Sequence, residues 1–242
     1  MRRDLYEQIC QDAKRNHLLS ALPQEILEHW GPEFALVDLE LGQVLYEVGE
    51  TPDFAYFPVN TVVSILYVME NGESAEIAIV GNEGVVGVSL FMGGGATSSR
   101  AVVQNAGLAF RLPAAALMRE FDKGGLVLTT LLRYTQALMA QMTQTAACNR
   151  HHTLHQQLCR WMLLSLDRLE GNELTMTQQL IANMLGITVD EVTESATDLT
   201  KQGLIDYSNG TIVVNDRKGV EAKSCECYSV VKKEYDRLLL PA

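Results

Sequence analysis

The chain has 242 residues, of which 47% are hydrophobic and 20% are charged. This apolar content is enough for the cores of two modest domains and excludes a disordered chain. The 19 basic and 30 acidic residues give a formal charge of -11. Because affinity for phosphates comes from cations, this charge excludes a nucleic-acid binder that relies on a basic surface alone, but not a small DNA-reading module on an acidic body.

The longest apolar runs, such as Ile65–Met69, are much shorter than the roughly 20 residues that span a bilayer. The first residues also lack the apolar core of a signal peptide. We therefore expect a cytoplasmic protein with no membrane association. The cysteines are odd in number and scattered, so secreted-type disulfides are not expected; they are Cys10, Cys148, Cys159, Cys225 and Cys227.

Between Leu18 and Phe121, short apolar runs alternate with turn signals. The strongest signal is Asn71-Gly72, which separates Val62–Met69 from Ala75–Val80 and predicts a β-hairpin. Strands at this spacing, without intervening helices, indicate a closed roll or a sandwich.

After about Asp122 the pattern becomes helical, and a helix of about 42 Å is predicted from Gly125 to about His152. Two sets of positions seven residues apart form a heptad pattern along it. A helix this long between two domains is better explained by pairing with a second copy than by burial in its own chain. The two sets are Leu128, Thr135, Met142 and Asn149, and Leu131, Leu138, Thr145 and His152.

The last third of the chain predicts a helix over 154–169, then two short helices and a hairpin. A capping box at Thr175–Gln178 opens the helix Gln178–Leu185, and Gly186 supplies a turn. A second capping box, Thr188–Glu191, opens a helix that runs to Gln202 and stops at Gly203.

Two strands follow, Leu204–Tyr207 and Thr211–Val214, joined by a turn at Asn209-Gly210. This order of elements is typical of a winged helix-turn-helix. The tail forms an amphipathic helix over 230–240 that we expect to dock on its own domain.

Taken in order, several segments resemble the Crp/Fnr family of bacterial transcription regulators. They are Asn16–Pro23, Leu41–Glu50, Tyr56–Pro58, Val80–Gly87, Gln157–Leu163, Thr177–Gly186 and Lys201–Ile205. The resemblance implies an α+β fold: an N-terminal β-roll (double-stranded β-helix), a long dimerisation helix and a C-terminal winged helix-turn-helix. The corresponding domains are a cyclic-nucleotide-binding-like sensor (1–122), the dimerisation helix (123–153), the DNA-binding domain (154–220) and a helical tail (221–242).

The resemblance also implies a homodimer that senses a small signal in the roll. Its other implied partners are a palindromic DNA operator near promoters and RNA polymerase. The effector pocket is expected at Gly87, Ser89, Ser98, Ser99 and Arg100. Members that bind cyclic nucleotides place a glutamate and an arginine there, but this chain lacks the carboxylate and its Arg100 lies two residues late. We therefore expect no cofactor and no response to cyclic AMP.

The recognition helix departs from the family as well, because Thr188-Val189-Asp190 stands where arginine and glutamate usually begin it. From Leu174 to Asp206 there is one basic residue and five acidic residues. We predict weak or conditional DNA binding, with basic help from Arg160, Arg168, Arg217 or Lys218. The alternative is a sensor or interaction protein that has lost specific DNA binding. The candidate DNA-binding residues are Thr177, Gln178, Thr188, Val189, Asp190, Thr193 and Lys201.

Nothing in the sequence indicates catalysis, since no nucleophile constellation or phosphate-binding loop is present. Two stretches contain possible metal ligands, and no metal site is predicted from either. In 148–159, His151 and His155 have a chelating i, i+4 spacing, whereas packing at the hinge is the simpler interpretation. Cys225 and Cys227 cannot close a four-ligand site alone. With only Cys10 near the N-terminus, the cysteine cluster of iron–sulfur members is absent.

Overall fold

The computed structural model describes residues 12–239. The N-terminal domain is a β-roll, as predicted, with two short helices before it and one after it. The helices are α1 (His17–Ser20), α2 (Gln24–Trp30) and α3 (Ala114–Phe121). The strands are β1 (Ala35–Leu39), β2 (Val44–Tyr46), β3 (Phe54–Pro58), β4 (Val62–Val68), β5 (Ser74–Val80), β6 (Arg100–Asn105) and β7 (Gly107–Pro113).

The roll consists of two antiparallel sheets with strand orders β1-β7-β3 and β2-β6-β4-β5. The predicted hairpin is confirmed: β4 pairs with β5, Val68 opposite Ser74, and Gly72 has a φ of 87°. Large buried side chains fill the space at the three-stranded sheet, where the rings of Phe34 and Phe110 lie 5.5 Å apart. Burying such rings contributes about 1.5–3 kcal/mol each, which holds the sheet against α2.

The long helix α4 (Gly125–His151) is confirmed, but its predicted dimer seam is wrong in register. Leu131, Thr135, Leu138 and Thr145, four of the eight seam positions, are buried in the chain's own fold. They are buried there because α4 packs on β5 and on a tail helix whose docking the heptad pattern does not reveal.

The C-terminal domain has the predicted winged helix-turn-helix order. It contains α5 (Leu154–Leu166), β8 (Glu173–Thr175), α6 (Gln178–Leu185), α7 (Val189–Lys201), β9 (Ile205–Ser208) and β10 (Thr211–Val214). Gly186 ends α6 with a φ of 68°, and Asn209 and Gly210 both have positive φ, as a type I′ turn requires.

Two local details differ from the prediction. The cap of α6 is Thr177, not Thr175, so Leu180 occupies the third helical position and no reciprocal capping box forms there. The short strand β8 was not predicted; it pairs with β10 and makes the wing three-stranded.

Two helices complete the described chain, α8 (Arg217–Lys223) and α9 (Glu226–Leu239). The tail helix was expected to dock on its own domain, but α9 packs mainly along α4 and to a lesser extent on α5. Leu240 and Cys10, which entered the predictions, lie outside the described residues. No helix between residues 12 and 239 has the length and apolarity that crossing a bilayer requires.

Candidate functional site

The first candidate site is a small cavity in the β-roll, closed on one side by α4. Its volume is about 40 Å³, far below the roughly 300–1,000 Å³ of typical ligand pockets. Apolar side chains from the roll and from α4 fill the space that a larger ligand would need. Its lining residues are Tyr46, Ile65, Val80, Val85, Val86, Gly87, Val88, Ser89, Thr97, Ser99, Leu138 and Met142.

Three of the five predicted effector residues lie at this cavity, namely Gly87, Ser89 and Ser99. Ser98 is exposed, and Arg100 donates to Glu47 at 2.7 Å on the surface of the roll. Neither Ser98, which stands at the expected arginine position, nor the shifted Arg100 is therefore brought to the cavity. Arg100 is paired with the Glu47 carboxylate, and an anionic effector would have to compete with this ion pair.

Two polar side chains at the cavity could orient a small molecule. The buried Ser89 hydroxyl has no hydrogen-bond partner among the described residues, and such groups usually find one. Burial raises the pKa of Tyr46 to about 12, with a hydrogen bond from Ser99 opposing it, so its hydroxyl remains protonated. Sequence reasoning missed Tyr46 and Thr97, because only the fold brings these distant positions to the glycine-serine turn.

The second candidate site is the exposed face of α7. Thr188 caps the helix: its hydroxyl accepts from the Glu191 backbone N–H, and the Glu191 carboxylate accepts from Thr188. These hydrogen bonds lower the pKa of Glu191. The capping box is therefore as predicted, and it uses Thr188 and Glu191 for the helix start.

The exposed side chains of α7 carry more negative than positive charge. Asp190, Thr193 and Lys201 are exposed, as a DNA-contacting role requires, whereas Val189 is half-buried against the core. The Thr193 hydroxyl donates to the Val189 carbonyl at 2.8 Å. One shallow depression on this face is lined by Asp190, Thr193, Glu194, Thr197, Asp198 and Lys201.

The wing reaches the start of α6. Thr177 and Gln178 line a depression together with Tyr207, Ser208, Asn209 and Gly210. The sequence indicated the Asn209-Gly210 turn but gave no reason to group its neighbours with Thr177. Ser208 and Asn209 are thus surface residues beside Thr177 that the sequence did not indicate as part of the candidate site.

Most of the basic residues expected to help at this interface do not reach it. Arg160 and Arg168 are buried, and Arg168 donates to Glu83 of the roll at 2.8 Å. Arg217 pairs with Asp167 and donates to the Tyr228 hydroxyl. Of the four arginines and lysines named for this role, Lys218 alone is exposed in the described chain. The expectation that Arg160 and Arg168 add positive charge to this surface is wrong, because both side chains are buried. Arg160 donates to Thr145, and Arg168 donates to Glu83.

The winged helix-turn-helix domain also touches the β-roll. Helix α6 packs on β5, and the Ser64 hydroxyl of the roll lies 3.7 Å from the sulfur of Met184. A cleft beside this contact is lined by the β4–β5 turn, including Glu73, and by the start of α7, including Thr188 and Glu191. The first turn of the recognition helix therefore faces an acidic turn of the roll.

Comparisons with known proteins agree with both domains. A model for the cyclic nucleotide-binding domain matches residues 36–123, and one for the Crp-like helix-turn-helix domain matches residues 156–223. None of the curated protein sequences is similar enough to the chain to count as a match.

Solved structures with the same fold include FixK2 from Bradyrhizobium japonicum. It is 17% identical to this chain with a TM-score of 0.67, and the match covers 79% of this chain and 98% of that one. TTHB099, a CRP family transcriptional regulator from Thermus thermophilus, is 16% identical with a TM-score of 0.65, covering 78% and 96%. The c-di-GMP responsive global regulator CLP from Xanthomonas campestris is 14% identical with a TM-score of 0.62, covering 79% and 99%.

The fold and the two domain matches define a helix-turn-helix transcription regulator with an N-terminal domain of the cyclic nucleotide-binding type. The order of these domains, joined by α4, is that of the structurally similar regulators. The chain belongs to the Crp/Fnr family of transcription regulators.

Proposed function

We propose that the protein acts as a homodimer that binds a palindromic operator through two copies of α7 and regulates RNA polymerase nearby. In this proposal residues 1–122 sense a signal, 123–153 dimerise and 154–220 bind DNA. The observation that carries it is the capped, exposed helix α7 behind the Gly186 turn, within a matched Crp-like domain. Recognition helices of this kind enter the major groove.

Support for the dimer comes from the outer face of α4. Exposed residues recur there at alternating intervals of three and four, the spacing of a two-stranded coiled coil. Leu132 is 47% exposed and Met139 is 58% exposed, so apolar surface is left uncovered on this face. The exposed positions are Thr129, Leu132, Gln136, Met139, Thr143, Ala146 and Arg150.

The proposed effector is not cyclic AMP. A cavity of about 40 Å³ has no room for a nucleotide, and Arg100 is paired with Glu47 outside it. The unpartnered Ser89 hydroxyl and the Tyr46 hydroxyl favour a small polar molecule. Calorimetric titration with cyclic AMP should therefore give no binding heat, whereas specific binding at micromolar concentration would contradict this part of the proposal.

The proposed DNA binding is weak or conditional because of charge. A carboxylate about 4 Å from a phosphate costs about 1–4 kcal/mol, depending on the local dielectric. Asp190 and Glu194 are exposed on the face that would meet DNA, and Arg160 and Arg168 are too deeply buried to offset them. The same observation favours the second candidate function, an interaction protein that has lost specific DNA binding.

Removing two carboxylates from α7 distinguishes these functions. The test uses a labelled duplex that the wild-type protein or the variant has enriched from a random pool. We expect D190N/E194Q to bind this duplex at least about tenfold more tightly than the wild-type protein does. Tenfold corresponds to 1.4 kcal/mol, within the range of one relieved repulsion. The measurement is fluorescence anisotropy at physiological salt.

The matched control is E25Q/E28Q on α2, which removes the same charge from two exposed positions of the other domain. It should leave the affinity unchanged. Equal gains for both pairs would show a general charge effect. If neither wild type nor D190N/E194Q enriches any duplex, the interaction-protein alternative replaces the proposal.

A further inference from the structure

Four metal-ligating side chains meet where α4 ends. Cys148 lies in the last turn of α4 and His152 is its C-terminal cap, while Cys225 and Cys227 flank the start of α9. The three sulfurs and a ring nitrogen of His152 all lie within 4.8 Å of one another. Residues about 75 positions apart in the chain thus converge, because α9 docks along α4.

The distances fit a tetrahedral metal. The sulfurs of Cys148 and Cys225 are 3.5 Å apart, and the Cys227 sulfur is 3.4 Å from Nδ1 of His152. Zinc bonds of about 2.3 Å to sulfur and 2.0–2.1 Å to nitrogen give tetrahedral edges of about 3.8 and 3.6 Å. Both measured edges fall within a few tenths of an ångström of these values, so small side-chain shifts would admit an ion.

The surroundings of the cluster are those of a closed metal site. Cys148, Cys225 and Cys227 are at most 5% exposed and form a group separate from the main core. Nε2 of His152 lies 3.2 Å from the Glu226 carboxylate, which turns Nδ1 toward the sulfurs. Metal-binding histidines typically have such a carboxylate on the other ring nitrogen. The Gln144 amide nitrogen is 3.0 Å from the Cys227 sulfur, where it can donate to a thiolate.

Charge also favours an ion here. Three thiolates, a neutral imidazole and one Zn²⁺ carry a net charge of -1, opposite to that of the nearby guanidinium of Arg160. That guanidinium is buried, its Nε has no hydrogen-bond partner among the described residues, and it acts electrostatically on Cys148.

We propose that Cys148, His152, Cys225 and Cys227 bind one Zn²⁺ ion as a closed, four-coordinate structural site. All four positions come from the protein, so no coordination site is left open for catalysis. The ion would join the start of α9 to the end of α4, next to the turn at Thr153 that leads into α5. It would thereby fix the junction between the long helix and the DNA-binding domain.

The sequence predicted no metal site. The only chelating pair that its helical spacing indicated was His151 and His155. His151 is exposed, and Nδ1 of His155 lies 3.9 Å from Asp198, so this pair does not chelate. Cys159 is buried in α5 outside the cluster. Each half of the cluster, taken alone, is incomplete, and the sequence gave no sign that the two halves meet.

Metal content of the full-length protein, purified without added metal and without chelator, tests the site. Elemental mass spectrometry should find one zinc per chain in the wild type and less than a tenth of that in C225S/C227S. The matched control is C159S, which removes a buried thiol outside the cluster and should keep one zinc per chain. Loss of zinc in C159S as well, or stoichiometric zinc in C225S/C227S, would overturn the assignment.

A second measurement needs no substitution. After zinc is removed with a chelator, the wild-type protein should take up one Co²⁺ per chain and show the absorption of tetrahedral cobalt with thiolate charge transfer. Zinc should then displace it. Iron in place of zinc, octahedral cobalt spectra, or a Cys148–Cys225 disulfide in protein purified under reducing conditions would each contradict the proposal.

Discussion

Glu76 belongs to a buried hydrogen-bond network at the contact between the two domains. Its carboxylate accepts from the Ser64 hydroxyl at 2.6 Å, and Ser64 lies 2.9 Å from Gln104. Gln104 in turn donates to Ser165 of α5 at 2.8 Å. A polar network therefore links the four-stranded sheet of the roll to the DNA-binding domain. Burial raises the pKa of Glu76 to about 7, although Ser64 and Arg160 oppose the shift.

This pKa makes stability depend on pH with a definite sign. Because the folded-state pKa lies above the usual 4.5, the contribution of Glu76 is complete below about pH 4.5 and is lost as pH rises through 7. The loss is on the order of 3 kcal/mol, since each pKa unit is worth about 1.4 kcal/mol. E76Q should therefore gain stability relative to wild type between pH 5 and pH 8.

Urea unfolding at both pH values measures this difference. E70Q, on the exposed β4–β5 turn, is the control and should follow the wild type. If E76Q keeps the pH dependence of the wild type, Glu76 is ionised in the folded protein and the assigned pKa is wrong.

Residues that act locally could be predicted from the sequence, whereas those that act across the fold could not. Thr188 and Glu191 are three residues apart and cap one helix, so their spacing alone indicated the contact. The burial of Arg168 depends on Glu83, 85 positions away, and on the ring of Tyr235. Nothing in the neighbourhood of Arg168 in the sequence predicts either partner.

At the scale of elements, α4 has one face buried in the chain's own fold and one exposed face. Its inner face carries Tyr134, whose ring fits against Gly84, where a side chain would collide with it. Gln141 on the same face exchanges two hydrogen bonds with the backbone of Ile79 and donates to the Tyr235 hydroxyl. The stronger apolar stripe is thus buried in the chain's own core. The weaker stripe, with Leu132 and Met139, stays exposed, and periodicity selected the stronger one.

The outer face makes a specific prediction about assembly. L132D/M139D should weaken self-association at least about 100-fold, because two unpaired carboxylates would be buried in a coiled-coil seam. Sedimentation equilibrium at micromolar concentration measures this change. L36D/M92D replaces two equally exposed apolar residues of the roll and should remain dimeric. A dimer that survives L132D/M139D would place the interface elsewhere.

For the whole molecule, the sequence was sufficient for the order of the domains and for the boundaries of the β4–β5 hairpin, of α4 and of the helix-turn-helix with its wing. Periodicity, turn residues and helix caps are local, and they specified the hairpin of the roll, the long helix and the wing. The docking of α9 on α4 is a long-range contact; it decides which face of α4 stays exposed and assembles the cysteine cluster. The contact of α6 with β5 is of the same kind, and it places the start of α7 beside the acidic turn of the roll.

The burial of two arginines reduces the positive charge available to the proposed DNA-binding surface. Arg160 and Arg168 are buried, so in the proposed function DNA contacts would come from Lys201, Lys218 and the polar side chains of α7 and the wing. Affinity supplied by few cations is low and loses little with added salt. The proposed second copy would raise it, since two weak sites joined rigidly gain affinity from their proximity.

In the proposed function, two chains paired along α4 present their α7 helices to one duplex. The most direct test is native mass spectrometry of the protein with its selection-enriched duplex, together with the sequence of that duplex. We expect two chains per duplex and an inverted repeat whose half-sites are one helical turn, about 34–36 Å, apart. One chain per duplex, or an enriched sequence without inverted symmetry, would contradict it.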